Sequence, residues 1–282
     1  MAPPTESLEC PRTNDPPPSG YAIEFQDVHL AFEDNHVLSG ISFRLPYGET
    51  KALFGVAGSG KSTILKLAMG LLCPDSGRIL ALGTDVTQTP EEQLLDLRAK
   101  IGMVFQESAL FDSLTVRENV AYRLMQEANI SDDEVEKRVR EALRFVELEH
   151  TLDMAPSELS GGMRRRVAIA RAIITQPELL LYDSPTGGLD PVTSNTIIEL
   201  IMKQRDVSKT SSLLVTHRLQ DAFTMATHQF DPTTSEMKAL PRGQYCDVPM
   251  SFLILRDGKV IFDGDIRELA HTKDPYIREY IS

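Results

Sequence analysis

Short apolar runs bounded by turn residues recur along the chain from Tyr21 onward and predict a strand-rich core. Some runs alternate apolar and polar positions, whereas the run at residues 179–182 is continuously apolar, as in a strand that is buried on both faces. The last two runs flank Asp257-Gly258, which predicts a hairpin. Strands are predicted at residues 22–25, 37–45, 51–56, 178–183, 212–216, 252–256 and 259–262.

Helical patterns follow the third predicted strand and return in the middle of the chain. Residues 62–72 place apolar side chains on a helical repeat, and residues 91–98 have a polar composition that favours a helix. Ser131 and Glu134 match a capping box, which predicts the start of a further helix. The block from about 90 to 160 therefore predicts an α-helical lobe inserted into an α/β core, whose sheet is mainly parallel with an antiparallel β part.

Two segments depart from this pattern. Residues 1–20 hold six prolines and few apolar side chains, which predicts a disordered leader. A partner that binds proline-rich peptides is the alternative interpretation of this leader. Residues 229–249 are polar and are predicted as a surface loop, with a docking site for a regulatory partner as the alternative. The folded domain is therefore expected at residues 21–282.

Composition narrows the class of protein. The chain has 282 residues, 29 basic and 41 acidic, for a net charge of −12, which disfavours unspecific attraction to nucleic acid or anionic lipid. We therefore expect no nucleic-acid partner. No apolar run approaches the roughly 18 residues that span a bilayer, and the first residues do not form a secretory signal.

The residues between the third predicted strand and the first predicted helix match the phosphate-loop pattern of glycine, any four residues, glycine, lysine and serine. Glycines let backbone N–H groups converge on phosphate oxygens, and the helix start adds a favourable dipole. Lys61 is expected to reach the β and γ phosphates of ATP, and the Ser62 hydroxyl to bind Mg²⁺. The predicted nucleotide contacts are Gly55, Val56, Ala57, Gly58, Ser59, Gly60, Lys61, Ser62 and Thr63.

Two further sites point to the same chemistry. The apolar run at 179–182 ends in Asp183, which predicts a buried strand that delivers a metal-binding carboxylate to its carboxyl edge. Ser160, Gly161 and Gly162 precede a predicted helix and offer backbone donors to a second anion.

In this order and spacing, the motifs resemble those of the ATP-binding subunits of ABC transporters, over about residues 22–227 and the C-terminal hairpin. The resemblance implies a phosphate-loop NTPase core of the ABC ATPase type. It also implies a head-to-tail dimer, in which Ser160, Gly161 and Gly162 contact ATP held by the opposite subunit. Both a homodimer and a heterodimer are compatible with the motifs.

The resemblance assigns roles to four more positions. Phe32 stands where the family places an aromatic ring against adenine, although packing on the core is the alternative. Gln106 matches the glutamine that touches Mg²⁺ and senses the membrane partner, and Asp190 ends the loop that reaches across the dimer. His217 matches the histidine that contacts the γ-phosphate. The implied metal ligands are Ser62, Gln106 and Asp183.

Ser184 departs from the family, which has a water-activating glutamate at this position. A serine cannot act as that base, so three outcomes are open. Hydrolysis can be slow, with ATP acting as a dimerisation switch in a regulatory subunit. A different second subunit can supply the working site. Alternatively, His217 or another acid orients the water.

The segment at 106–122 points to a subfamily. In ABC subunits this segment lines the groove that receives a coupling helix from an integral membrane permease. Its amino-acid sequence from Ala109 to Val116 resembles that of the ATPases of MCE-linked, Mla-type lipid transporters. This resemblance implies lipid transport, an MCE-type lipid-binding partner and a cytoplasmic location on the inner face of the cell membrane. The alternatives are an amino-acid importer and a soluble ABC protein acting on ribosomes or DNA.

Overall fold

A computed structural model describes residues 20–281 except 34, 127–129, 235 and 242, with side chains as far as residue 278. Apart from Gly20, the predicted leader at 1–20 lies outside the described residues. Within the described part of the chain, no helix combines the length and apolarity that crossing a membrane requires.

Most of the predicted strands and helices are present in the structure, with bounds that differ by a few residues. The strands are β1 (Tyr21–Phe32), β2 (Asn35–Pro46), β3 (Thr50–Gly55), β4 (Ser76–Ala81), β5 (Thr84–Asp85), β6 (Ile101–Val104), β7 (Leu179–Asp183), β8 (Ser211–Val215), β9 (His228–Asp231), β10 (Glu236–Ala239), β11 (Met250–Arg256) and β12 (Lys259–Asp265). The helices are α1 (Lys61–Ala68), α2 (Glu91–Ala99), α3 (Val116–Ala121), α4 (Asp132–Phe145), α5 (Gly161–Ile173), α6 (Pro191–Ser208), α7 (Leu219–Thr227), α8 (Ile266–His271) and α9 (Pro275–Ile281).

The central sheet determines where the site lies. Its strand order is β12-β11-β3-β8-β7-β6, with parallel pairing from β11 to β6 and an antiparallel β12 at one edge. Strands β3, β7 and β8 are almost wholly buried because helices cover the sheet, which explains their continuous apolar sequences. The carboxyl ends of these strands meet at one edge, where α/β proteins bind ligands. The predicted α/β class is confirmed.

A second, antiparallel sheet supplies the β part of the prediction. Its order is β2-β1-β4-β5, and it shares an apolar core with α1 and one face of the central sheet. Phe25 on β1 stacks on Phe43 of β2 with ring centroids 4.7 Å apart. This packing holds β1 and β2 against the start of α1, where the phosphate loop lies.

The helical lobe contains one strand that the sequence did not predict. Residues Ile101–Val104 fall inside the predicted lobe but form β6, which pairs with β7 at the edge of the central sheet. The predicted capping box is only half formed: Ser131 Oγ accepts from the Glu134 N–H at 3.3 Å, but the Glu134 carboxylate binds Arg138 instead. Helices α3, α4, α5 and α6 pack around a shared apolar cluster.

The segment predicted as a surface loop at 229–249 contains regular structure. Strands β9 and β10 form an antiparallel hairpin there, so the prediction of a loop is wrong for this part. Contacts with α6 explain the order: the Phe230 N–H donates to Asp206 at 2.7 Å, and Arg205 donates to the His228 carbonyl at 2.9 Å. These contacts join residues far apart in the chain, and hydrophobic patterning does not reveal them.

Candidate functional site

The predicted phosphate loop connects the end of β3 to the start of α1. Gly60 precedes α1 with φ of 89°, in the left-handed region that favours glycine. A Cβ there would lie 2.8 Å from Leu38 Cδ2, so close packing against β2 also requires glycine. The loop therefore keeps its backbone near the helix start, as an anion site requires.

Lys61 is the first residue of α1 and is buried. Its ammonium group donates to the carbonyl oxygens of Gly55 and Val56, each at 2.8 Å. Burial lowers the pKa of Lys61, and the nearby Asp183 carboxylate opposes that shift. The lysine is therefore held at the phosphate loop by the backbone of the loop itself.

Ser62 and Asp183 are 121 positions apart in the sequence but meet in the structure. The Ser62 hydroxyl donates to Asp183 Oδ1 at 3.0 Å. The hydroxyl comes from the first turn of α1, and the carboxylate is the last residue of β7. Hydroxyl and carboxylate oxygens are hard donors of the kind that bind Mg²⁺ beside substrate phosphates. The residues present therefore fit a magnesium nucleotide.

Ser184 follows Asp183 in an unusual backbone conformation. It is buried with φ of 46°, and its N–H donates to the Val215 carbonyl at 2.9 Å. Its own carbonyl accepts from the Gly187 N–H at 2.9 Å, which closes the turn at residues 184–187. We call residues 184–187 the catalytic turn, because the family resemblance puts its water-activating position at Ser184. The Gln106 amide reaches the same place, since its Nε2 lies 3.6 Å from the position of a Cβ at Gly187.

His217 lies just after β8, at the same edge of the central sheet, and is exposed. The Asp221 carboxylate stands one helical turn further on and is buried. Burial raises the pKa of Asp221, whereas a hydrogen bond from Thr186 and the charges of Arg218 and His217 oppose the rise. The Asp221 carboxylate thus contacts Thr186 of the catalytic turn, and the charge of His217 acts on the same carboxylate.

Ser160, Gly161 and Gly162 lie at the start of α5, and Gly162 packs against α6. The Ser160 hydroxyl accepts from the Met163 N–H at 3.2 Å and caps α5. A Cβ at Gly162 would lie 2.4 Å from Thr193 Cγ2, so this glycine allows α5 and α6 to approach. Ser160 and Gly161 are exposed.

Two other predicted contacts also lie at the surface. Asp190 caps α6 by accepting from the Val192 and Thr193 N–H groups at 3.0 Å. The Thr193 hydroxyl adds a 2.6 Å bond and is the chief cause of the lowered pKa of Asp190. Phe32 ends β1 and is 49% exposed, so its ring is accessible.

Sequence reasoning missed the role of Arg165, the middle residue of the basic run 164–166. Its side chain is 5% exposed. Its guanidinium donates to the carbonyl oxygen of Phe105 at 2.9 Å and to that of Gly187 at 3.2 Å. It also donates to the carbonyl oxygen of Gln106. Burial lowers the pKa of Arg165. A run of arginines is typical of a solvated helix face, so no signal in the sequence distinguished this one.

Three residues of the segment at 106–122, Ala109, Phe111 and Tyr122, line part of a surface groove of about 360 Å³. Phe105, Phe111 and Tyr122 contribute partly exposed rings, and the last two lie 4.6 Å apart between centroids. The buried Asn119 amide holds this segment by bonds to the carbonyls of residues 111, 114 and 115. The groove is therefore mainly apolar and aromatic, with Arg98, Arg123 and Arg171 also in its lining.

Comparisons with known proteins identify a family. The model of the ABC transporter family matches residues 38–187. The chain is 37% identical over 271 residues to the chloroplastic protein TRIGALACTOSYLDIACYLGLYCEROL 3 of Arabidopsis thaliana, covering 93% of this chain and 74% of that protein. It is 30% identical over 259 residues to MlaF of Escherichia coli K12, an intermembrane phospholipid transport system ATP-binding protein, covering 92% of this chain and 88% of that protein.

A solved structure agrees with the sequence relatives. The ATP-binding cassette MJ0796, as a dimer in a post-hydrolysis state bound to ADP and Pi, superposes with a TM-score of 0.72 at 28% identity. The match covers 87% of this chain and 99% of that chain.

Proposed function

Because the chain belongs to the ABC transporter family and is an ATP-binding subunit of it, we propose that it hydrolyses ATP to drive phospholipid or other lipid transport through a membrane permease. The observation that carries this proposal is the Ser62–Asp183 pair beside the phosphate loop. The name of the MlaF relative supports lipid as the cargo. The relatives give no support to the amino-acid importer or the regulatory subunit over this function.

The phosphate loop and the end of β7 share the task of binding Mg²⁺ and ATP. Bound Mg²⁺ and ATP supply the cleavable phosphoanhydride and a cation that neutralises its charge. Lys61 would hold the β and γ phosphates, and Ser62, Asp183 and Gln106 would hold the metal. Phe32, exposed at the end of β1, would stack on the base.

The step that activates water falls to residues other than Ser184. The hydroxyl of Ser184 does not accept a proton near neutral pH, so it can only orient water by hydrogen bonding. Gln106 and His217 are at the same edge of the sheet and would position the water. Phosphoryl transfer depends mainly on positioning and charge stabilisation, so hydrolysis continues without a general base, though more slowly.

A second ATP-binding subunit completes the site. Ser160 and Gly161 at the start of α5 and Asp190 at the start of α6 are exposed, which suits contact with another subunit. The dimeric form of the solved cassette supports this arrangement. Both a second copy of this chain and a different ATP-binding subunit satisfy the requirement.

The groove lined by Phe105, Phe111 and Tyr122 would receive the permease. Its apolar and aromatic lining suits the apolar face of a short helix, which is a common mode of helix recognition. Binding to the permease would place the chain on the inner face of the cell membrane. The Mla-type resemblance also implies an MCE-type lipid-binding protein as a further partner of the transporter.

The test is ATP-dependent lipid transfer by the assembled transporter, purified through a tag on this chain and reconstituted in vesicles. Transfer of a labelled phospholipid to acceptor vesicles should require ATP and Mg²⁺ and stop with the variant Lys61→Ala. Transfer that proceeds equally without ATP would refute the proposed function. ATP hydrolysis stimulated by amino acids rather than phospholipid would favour the importer.

A further inference from the structure

Helix α5 holds the segment after β6 by two arginines. Arg165 donates to the carbonyl oxygens of Phe105 at 2.9 Å and of Gln106. Arg171 donates to the carbonyls of residues 108–109 at 2.8 and 2.7 Å. We call residues 105–111 the docking segment, because it contains Gln106 and borders the aromatic groove.

The docking segment has a backbone that needs such support. Ser108 has φ of 66° and Ala109 has φ of 48°, both in the left-handed region. Residues with a Cβ enter that region at a cost, and two in succession persist only where the surroundings hold them. The arginine contacts to these carbonyls therefore keep the segment in its observed shape.

Arg165 also reaches the catalytic turn, which Arg171 does not contact through any hydrogen bond within the described residues. The Arg165 guanidinium donates to the Gly187 carbonyl at 3.2 Å, while the Gly187 N–H donates to Ser184. One planar group thus bonds both the segment that faces the permease groove and the turn that follows Asp183. A large movement of either segment would therefore break a hydrogen bond to Arg165 or displace its guanidinium group.

The burial of Arg165 shows that these bonds are specific. Its three hydrogen-bond partners are neutral carbonyl groups, and within the described part of the chain the Glu107 carboxylate acts on it by its charge without forming an ion pair. Its Nε is buried without a hydrogen-bond partner. Nη1 bonds the docking segment and Nη2 bonds the catalytic turn, so the planar guanidinium fixes the geometry between the two segments.

We propose that Arg165 is a positioning residue that transmits movement of the docking segment to the catalytic turn and so couples permease docking to ATP hydrolysis. The coupling role rests on the proposed function, but the mechanical link between the two segments does not. A lysine cannot replace this residue, because one ammonium group does not span three carbonyls in two segments.

Amide hydrogen exchange tests the link in the full chain without nucleotide, lipid or permease. In the variants Arg165→Lys and Arg165→Met, exchange of the Ser108 and Gly187 amides should both rise about tenfold or more, since hydrogen bonds from a charged donor are lost. The matched control Arg171→Lys should raise exchange at Ser108 and leave Gly187 unchanged. The Leu214 amide of the central strand β8 reports global stability.

A rise at Gly187 that exceeds the rise at Leu214 in both Arg165 variants supports the link. A rise at Gly187 no larger than at Leu214 overturns it, because general destabilisation then accounts for the change. An equal rise at Gly187 in the Arg171 control overturns it too, because Arg171 has no bond to the catalytic turn.

The coupling role has a separate readout in the assembled transporter. Arg165→Lys should lower the stimulation of kcat by lipid substrate about fivefold or more, with a smaller change in the KM for ATP. Unchanged stimulation overturns the coupling role. Absence of any ATP hydrolysis in the wild-type transporter counts against the proposed function instead and leaves the exchange result standing.

Discussion

The Thr186 hydroxyl donates a 2.7 Å hydrogen bond to the Asp221 carboxylate, and both residues are buried. Thr186 belongs to the catalytic turn, and Asp221 lies in α7, which follows His217. The bond therefore ties the segment that carries Ser184 to the segment that carries His217. Arg218 adds a 3.4 Å ion pair with Asp221 from the same loop.

Burial of the Asp221 carboxyl gives folding a specific dependence on pH. Burial raises the pKa of Asp221 above its usual 3.8, so the folded chain binds this proton more tightly than the unfolded chain. Stability must then fall as pH rises from about 3.8 through the raised pKa. Asp221→Asn keeps an oxygen that accepts from Thr186 but cannot ionise. We expect the variant to lose this part of the pH dependence and to be at least as stable as wild type near neutral pH.

Urea unfolding at a series of pH values from 4 to 7 would measure the effect, with Thr186→Val as the companion variant. Thr186→Val removes the donor, so it should raise the Asp221 pKa further and steepen the loss of stability. An Asp221→Asn curve parallel to wild type over this range would show that the carboxylate is not desolvated as the structure implies.

Restoring a carboxylate at Ser184 should accelerate hydrolysis. A positioned general base typically contributes about 10²–10⁴ in rate, and we propose that Gln106 and His217 supply part of that effect in this chain. Ser184→Glu should therefore raise kcat of the assembled transporter about tenfold or more, with ATP affinity little changed. The measurement is steady-state phosphate release together with equilibrium ATP binding.

Ser184→Gln is the matched control, because the glutamine side chain is nearly the same size as that of glutamate but has no basic carboxylate oxygen. It should not accelerate hydrolysis. Equal acceleration by glutamine would mean that bulk or turn geometry limits the rate, and no gain with glutamate would mean that wild type already activates water fully.

A charged side chain introduced into the aromatic groove should weaken permease binding and leave nucleotide binding unchanged. Phe111 is 42% exposed and packs against Tyr122, so Phe111→Asp would put a carboxylate into an apolar contact. We expect the variant to bind ATP normally and to lose co-purification with the permease. Val207→Asp, on another exposed surface, is the control and should retain the permease. Equal retention by both variants would exclude this groove as the docking site.

The hairpin of β9 and β10 has its own spectroscopic test. Lys238 donates to Asp231 at 2.5 Å and is the chief cause of lowering the pKa of Asp231 to about 2. In Lys238→Met the Asp231 pKa should return toward its usual 3.8, which carboxyl-carbon NMR titration would detect. A carboxyl that titrates normally in wild type would show that the two strands are not paired in solution.

The parts of the site that could be predicted from the sequence are those whose functional residues stand next to the residues that reveal them. Lys61 and Ser62 stand next to the glycines they need, and Asp183 ends an apolar run that only a buried strand explains. Strand β6 was missed because it has four residues, includes Gly102, and becomes a strand by pairing with β7. The hairpin at 228–239 likewise depends on contacts with α6.

The arrangement around these motifs could not be predicted, because it depends on tertiary contacts. The sequence indicates a missing carboxylate at Ser184 but not its left-handed backbone. Arg165 lies between two other arginines, and only the packing of the docking segment and the catalytic turn against α5 buries it. The bond from Thr186 to Asp221 joins residues 35 positions apart and has no local signature.

Mg²⁺-dependent ATP hydrolysis by the assembled transporter, wild type against Lys61→Ala, tests most directly whether this chain powers transport with ATP. Lys61 is the buried cation of the phosphate loop, so its loss should lower kcat about a hundredfold or more. We predict measurable wild-type turnover that requires Mg²⁺ and nearly disappears in the variant. Equal phosphate release by both proteins, or none by wild type, would contradict it.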